Sequence, residues 1–243
     1  MLEELKEKHG VIRIKGGTEV EDLSFPEIAF IRKITRGIFP MTVKIGGPEA
    51  RNDIRFILEN GIDTVLGPMI ESVYGLKNFI ECTTQLEEYY QVKVEKAINI
   101  ETIETYQSLD AIFASPYFKE VASITVGRSD LSGSMNKDVD DPEVIKITRD
   151  IVQRAGAMGK KTSVGGKITT KNIEMIKKDI GPDRVNTRHI VYDLSQSMDF
   201  NSALVAGLLF EIELYQAFKK ICPSKRVFYE NRIQDTKGRA GLG

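Results

Sequence analysis

Two carboxylates stand where chemistry could be done. Glu101 follows the apolar run EKAINI (95–100), and Asp130 follows SITVG (123–127) within the stretch ITVGRSDLSGSM (124–135). Each acid lies just past a strand-like segment, on consecutive units of the chain. Neighbouring strands run about 4.8 Å apart, so two acids at one level on adjacent strands can share a cation. A site of hard oxygen donors with open positions suits Mg²⁺ or Mn²⁺, which keep waters to exchange for substrate oxygens. Without a cation the pair repels and one pKa rises. The competing reading is two unrelated loop acids, each capping a helix or paired with a base. Glu104, one helical turn on, competes with Glu101 for the role.

The elements that must position these acids alternate along the chain. Strand candidates are 11–14, 41–45, 63–67, 95–100, 123–127 and 161–165, and the stretch RVNTRHIVYDL (184–194) has room for two more. Helical patterns fill the gaps at 25–37, 48–61 and 141–159, each with a proline in its first turn and a glycine near its end. Asp141 is the expected N-cap of the third. Strands recurring every 20 to 40 residues with helices between them imply parallel βα units and a closed (β/α)₈ TIM barrel. A doubly wound open sheet is the alternative, but no GxGxxG follows the first strand. The barrel and a last helix at roughly 200–220 make one domain, residues 1–222. That helix is apolar on nearly every side between Ala203 and Phe210, so it is expected to be buried in this subunit or against a partner. Residues 223–243 carry five basic and two acidic side chains and read as a tail, ordered only on a neighbour or not at all.

Composition removes several classes of function. The 35 acidic and 34 basic residues nearly cancel, so no global field favours nucleic acid or an anionic membrane. Cys82 and Cys222 lie in no CxxC, which argues against a disulfide framework or a thiolate zinc site and for a reducing, cytoplasmic setting. The charged N-terminus MLEELKEKHG lacks the apolar run of a secretory signal. The longest apolar stretch, 203–210, is far below the roughly 20 residues a membrane helix needs.

In a parallel barrel, active groups emerge at the C-terminal ends of the strands. Those ends read KGGTEVED (15–22), Gly46-Gly47-Pro48, Gly67-Pro68-Met69, Glu101-Thr102, Arg128-Ser129-Asp130 and Gly165-Gly166-Lys167. The Gly-Gly pairs are either tight turns or places where the backbone approaches a ligand.

Several blocks taken in order resemble one family. INIETIETYQSLDAI (98–112), ITVGRSDLSGSM (124–135) and DPEVIKITRDIVQRAGAMGKKTSVGG (141–166) look like consecutive segments of the HpcH/HpaI aldolase and citrate lyase β-subunit family, of the phosphoenolpyruvate/pyruvate barrel superfamily. VKIGGPEARNDIRFILENGIDTVLGPMIES (43–72) is similar to its preceding block, and the likeness spans roughly residues 10 to 195. The resemblance implies a TIM barrel whose metal-ligand acids are Glu101 and Asp130. Mg²⁺ or Mn²⁺ would chelate a pyruvate-like keto acid and stabilise its enolate as a carbon–carbon bond breaks or forms. Gly127, Ser129, Asp130, Pro68 and Met69 would lie against the substrate. Lys44 stands where the family usually has arginine, keeping the charge but losing the bidentate fork, with Glu21 as its orienting partner. Lys44 also opens the alternative of a Schiff base. Asp22 matches the citrate lyase branch, where the aldolase branch has histidine.

Arg128, grouped with Lys44 and Glu21 as a candidate catalytic side chain, departs from the family's small residue. It either reaches a substrate phosphate, a distal carboxylate or a CoA phosphate, or bridges to the loop KDVDD (137–141). His189 falls on the opposite face from Asn186 and Arg188, a placement more typical of a structural histidine. The expected function is a metal-dependent 2-keto-acid lyase or aldolase, forming a homo-oligomer such as a trimer or hexamer. The alternatives are an acyl-CoA lyase of the citryl- or malyl-CoA type and a barrel that has lost catalysis and serves binding or assembly.

Overall fold

In the computed structural model, which describes residues 1–241, eight strands close into a barrel in chain order. They are β1 (Val11–Gly17), β2 (Met41–Lys44), β3 (Thr64–Gly67), β4 (Glu95–Ile100), β5 (Val121–Gly127), β6 (Lys161–Gly165), β7 (Arg184–Asn186) and β8 (Ile190–Asp193). From β1 to β7 every neighbouring pair is parallel, as the alternation of strands and helices predicts. The last strand departs from that rule. β8 runs antiparallel to both β7 and β1, with Asn186 opposite Val191 and Ile14 opposite Ile190. Only Thr187, Arg188 and His189 separate β7 from β8. So short a link makes a hairpin, whereas a parallel crossover takes a dozen or more residues. The hairpin tip is thereby left at the C-terminal end of the barrel, where the other strands also end.

The helices follow from their caps. Phe25–Thr35 begins with a capping box in which Glu27 Oε2 accepts from the N–H of Ser24. Pro142–Ala157 begins at Asp141, whose side chain accepts from the N–H of Glu143 at 2.8 Å. A helix not anticipated from the sequence, Val73–Tyr90, starts at Ser72, whose hydroxyl accepts from the N–H of Gly75. Outward-facing strand residues such as Ile98, Ile100, Ile124, Val126 and Val164 join helix residues such as Ile54, Ile112 and Ile147 in the hydrophobic core.

The inside of the barrel is polar. Thr42, Thr64, Ser123, Thr125, Ser163 and Asn186 point inward, where barrels of this type mostly carry branched apolar side chains. Near the N-terminal end the Arg13 guanidinium donates to Thr42 Oγ1 at 3.1 Å, to Glu95 Oε2 at 3.0 Å and to Thr64 Oγ1, tying four strands together. A hydrogen-bonded interior specifies position more tightly than an oily one, because each shift leaves a buried polar group unsatisfied. The polar floor also places hydrophilic groups directly beneath the barrel mouth.

The expectation of a C-terminal tail is corrected. Pro223–Lys225 forms a 3₁₀ turn, and Arg226–Ala240 is a helix lying on Phe200–Ile221 of the same chain. Tyr229, Ile233 and Thr236, spaced as one helical face, are buried. The Tyr229 ring stacks on Tyr215 at 5.9 Å and contacts Phe218 at 5.4 Å, and its hydroxyl donates to the buried Glu27. Lys225 Nζ pairs with Asp22 at 3.1 Å, fixing the start of the helix to the loop after β1. A surface rich in lysine and arginine obscures this narrow stripe in the sequence. In Phe200–Ile221, Ala203, Leu204, Gly207, Leu208 and Phe210 are buried within this chain. Replacing Tyr229 with alanine removes an aromatic group from this cluster and leaves Glu27 short of a donor. The expected cost is about 3–5 kcal/mol, read as a lower urea midpoint. Among the described residues, no helix is long and apolar enough to cross a membrane.

Candidate active site

A cavity of about 390 Å³ opens at the C-terminal ends of the strands. Its walls include Glu21, Lys44, Glu101, Gly127, Ser129 and Asp130. Six positions expected from the sequence are therefore gathered around one space. Glu101 is fully buried at the end of β4 and lines the cavity, whereas Glu104 faces solvent.

Glu101 is held on all sides. Its Oε1 accepts from the N–H of Met69 at 3.1 Å, and its Oε2 accepts from Asn99 Nδ2 at 2.8 Å and from Lys44 Nζ at 3.2 Å. Met69 makes this bond from a left-handed backbone, φ 50°. Gly127 ends β5 beside it, and a Cβ there would lie 2.9 Å from Glu101 Cβ and 3.0 Å from Oε2. Only glycine lets the carboxylate lie over the strand end. Asp130 sits in the first turn of the helix Arg128–Ser134, whose leading N–H groups lack intrahelical acceptors. Its carboxyl is pushed above the usual range by burial and then by the Glu101 carboxylate at hydrogen-bonding range. Two acids facing each other in this way are a like-charge pair that a cation relieves.

Lys44 lies at the end of β2, buried, with its ammonium 2.6 Å from Glu19 Oε2 and 3.2 Å from Glu101 Oε2. Burial alone would lower its pKa, but Glu101 and Glu19 outweigh it and hold the amine above its ordinary value. It therefore stays protonated, the opposite of the activated amine that a Schiff base requires. The expected partner of Lys44 is corrected. Glu21 Oε1 pairs instead with Lys15 at 3.3 Å, and Glu19, two residues earlier, takes the place beside Lys44. Burial alone would raise the Glu21 pKa, yet the Lys15 ammonium outweighs it and the carboxyl is brought down to about 2. The turn from Glu19 to Asp22, closed by a bond from the N–H of Asp22 to the Glu19 carbonyl, sets which acid faces Lys44, and the pairing of Glu21 with Lys44 that the resemblance implies is not formed.

Arg128 also differs from expectation. Its side chain is wholly buried, with Nη1 3.0 Å from Asp140 Oδ1 and Nη2 donating to the Gly166 carbonyl at 2.9 Å. It points into the protein and ties the ends of β5 and β6 to the loop before Pro142–Ala157. Of the two readings open from the sequence, the ion pair to loop 137–141 is the one formed. Pro68 is buried and Met69 exposed, and neither lines the cavity; the contribution of Met69 is its backbone bond to Glu101.

His189 is buried behind the site, with Nδ1 3.0 Å from the Lys15 carbonyl and its ring against Tyr215. Burial lowers its pKa, so the imidazole is neutral. Asn186 and Arg188 line the cavity instead, on the opposite face as the alternation predicts. Sequence reasoning missed Asn99, Thr125, Arg188 and Arg239, which also line it. The first two were legible as inward positions one step before Glu101 and Gly127, whereas Arg239 comes from the C-terminal helix and has no local signal.

Of the Gly-Gly pairs, Gly165-Gly166 borders the cavity, and Gly46 donates its N–H to Asp53 Oδ2 in a turn. Gly166 has φ 91°, and a Cβ there would sit 2.5 Å from the Ser129 nitrogen. Gly166→Ala is therefore expected to displace Ser129 and Asp130 and to lower Mn²⁺ affinity about tenfold or more. Titration followed by electron paramagnetic resonance measures this.

Residues 43–164, just over half of the chain, match the family model described as HpcH/HpaI aldolase/citrate lyase. The chain belongs to this family. Among solved structures, it is similar in fold to an HpcH/HpaI aldolase from Desulfitobacterium hafniense, with 13% identity, 74% of this chain and 86% of that chain covered, and a TM-score of 0.57. An HpcH/HpaI aldolase/citrate lyase family protein from Burkholderia cenocepacia gives 14%, 73%, 88% and 0.56. The citrate synthase SbnG gives 14%, 73%, 85% and 0.55. A comparison with curated protein sequences gave no match. The HpcH/HpaI barrel expected from the motifs is thus present, and the coarse chemistry of this family is that of lyases and aldolases.

Proposed function

We propose that this protein is a divalent-metal-dependent carbon–carbon lyase or aldolase that takes a 2-keto acid through a pyruvate enolate. The observation that carries the reading is the pairing of Glu101 with Asp130 across the ends of β4 and β5, beside a buried ammonium. The donor set fits Mg²⁺ or Mn²⁺: two hard carboxylates, Glu101 and Asp130, in a cavity lined by polar groups such as Asn99, Thr125 and Ser129. Such an ion, held by Glu101 and Asp130, supplies Lewis-acid stabilisation of the negative charge that develops on the keto oxygen.

The remaining roles fall to the chain itself. Lys44 keeps a fixed positive charge beside Glu101, complementary to an anionic substrate and to an enolate. Glu19 and Glu101 hold that ammonium in place, so it needs no reorganisation as charge develops. Ser129 and Asp130 line the cavity in the first turn of the helix Arg128–Ser134, and their backbone N–H groups would suit the substrate carboxylate. Cleavage of a 4-hydroxy-2-keto acid breaks the C3–C4 bond, and its electron pair enters the enolate. The hydroxyl proton leaves as the aldehyde forms, and protonation at C3 gives pyruvate.

Incubation with Mn²⁺ and pyruvate in deuterated water tests the reading by proton NMR. The methyl signal is expected to exchange, and EDTA is expected to stop it. Absence of exchange with both pyruvate and acetyl-CoA would support a barrel that has lost catalysis.

A further inference from the structure

The cavity has an acidic floor and a basic rim. Lys167, Arg188 and Arg239 line the same cavity and are exposed or half-buried, whereas Glu101 is fully buried. Among the described residues, neither Lys167 nor Arg188 has a carboxylate at ion-pair distance. Arg239 reaches only as far as Glu211, at 3.9 Å, and its side chain is 30% exposed. Glu211 is fully buried; its Oε1 accepts from Thr187 Oγ1 at 2.8 Å and from the N–H of His189 at 3.0 Å, while its Oε2, the oxygen nearest Arg239, has no hydrogen-bond partner among the described residues. One carboxylate from the penultimate helix thus fixes the hairpin that carries Arg188 and lies under Arg239.

The helix that delivers Arg239 is anchored at several points. Lys225 holds Asp22, Tyr229 holds Glu27, and Arg232 Nη2 donates to the Val20 carbonyl at 3.1 Å. Val20 itself lines the cavity. The C-terminal helix is therefore a wall of the site and not an appendage to the barrel. The space also exceeds the reacting fragment. At roughly 30 Å³ per water-sized group, 390 Å³ holds about thirteen such groups, about twice what pyruvate needs.

We propose that Arg239 and Arg188 form a specificity site for an anionic group, a carboxylate or a phosphate, on the half of the substrate that points out of the barrel. The inference rests on the floor being the reacting end. Two guanidiniums with few internal acceptors, facing a cavity, recognise a planar or tetrahedral anion through charge-assisted forks. A cation beside a cavity attracts an anionic outer half, repels a cationic one and gains little from a neutral one, so selection falls on charge.

Calorimetry of the full chain with Mn²⁺ compares 2-oxoglutarate with 2-oxopentanoate, which share a carbon chain and differ in the terminal carboxylate. Wild type is expected to bind 2-oxoglutarate about ten- to hundredfold more tightly. In Arg239→Gln and Arg188→Gln that ratio is expected to fall to within about threefold, and Arg239→Lys keeps part of it. The two sites lie on different elements, so Arg188→Gln remains informative if Arg239→Gln loosens the helix. Competition by inorganic phosphate marks a phosphate-preferring rim, and its absence marks a carboxylate-preferring one. A wild-type ratio near one, or a ratio unmoved by both variants, overturns the proposal. If pyruvate exchange persists alongside that result, the rim inference alone fails; if exchange is absent while the ratio is large and falls in the variants, the lyase reading alone fails.

Discussion

Asp130→Asn is expected to slow metal-dependent pyruvate methyl exchange by about a thousandfold or more, with the fold intact. Glu101→Gln is expected to do the same. Each change removes one of the two carboxylates that face each other, and the acids nearby are otherwise placed: Glu104 is on the surface, Glu21 is bound to Lys15, and Glu19 is bound to Lys44. The two variants differ in their side effects. Glu101 accepts three hydrogen bonds, so its amide form leaves Lys44 with Glu19 alone and places a donor opposite the N–H of Met69 or the amide of Asn99. Asp130→Asn relieves a like-charge contact and is expected to hold or raise the melting temperature without metal. A loss of exchange with no loss of stability would separate a functional acid from a structural one. Exchange within about tenfold of wild type in both variants would remove these carboxylates from the chemistry.

Arg128→Met is expected to cost both stability and metal affinity, although its side chain lies outside the cavity. The guanidinium is fully buried and serves Asp140, the Gly166 carbonyl and the Val139 carbonyl. Methionine fills much of the volume but donates nothing, so buried carbonyls lose their partners. Asp140 is half exposed and can turn to water, which discounts the ion-pair part of the loss. The net cost is put at about 2–4 kcal/mol, or roughly 5–12 °C in melting temperature for a chain of this length. Because Arg128 holds Gly166 against the start of the helix that carries Asp130, Mn²⁺ affinity is expected to fall about ten- to hundredfold as well. Differential scanning calorimetry and a Mn²⁺ titration check the two parts. A variant with wild-type melting and weakened Mn²⁺ binding would mean that Arg128 acts on the site directly and not through its packing.

These expectations show what the sequence could carry and where it stopped. The strand ends were legible because apolar β-branched runs stop abruptly at glycine or charge, and the pairing of Glu101 with Asp130 follows once the strands are adjacent. The polar interior was equally present in the alternation of Arg13 with Lys15, Thr42 with Lys44, and Ser123 with Thr125. It is readable only when the inward face is assigned first. The exchange of Glu21 for Glu19 beside Lys44 was not legible, since it depends on how the turn from Glu19 to Asp22 folds after β1. The hairpin between β7 and β8 could be read from the length of its link, but the expectation of repeating βα units hid it. The C-terminal helix was obscured because its buried stripe of Tyr229, Ile233 and Thr236 is narrow and surrounded by charge. Its contribution of Arg239 to the cavity depends on long-range docking through Lys225 and Tyr229, which no local pattern announces.

On the proposed function, Glu101 and Asp130 together hold one divalent cation. Electron paramagnetic resonance of Mn²⁺ titrated into the full chain tests it most directly, because the free ion gives a signal that binding broadens away. One bound Mn²⁺ per chain is expected in the wild type, and that site is expected to be lost in both Glu101→Gln and Asp130→Asn. Undiminished Mn²⁺ binding in either variant, or no binding in the wild type, would contradict it.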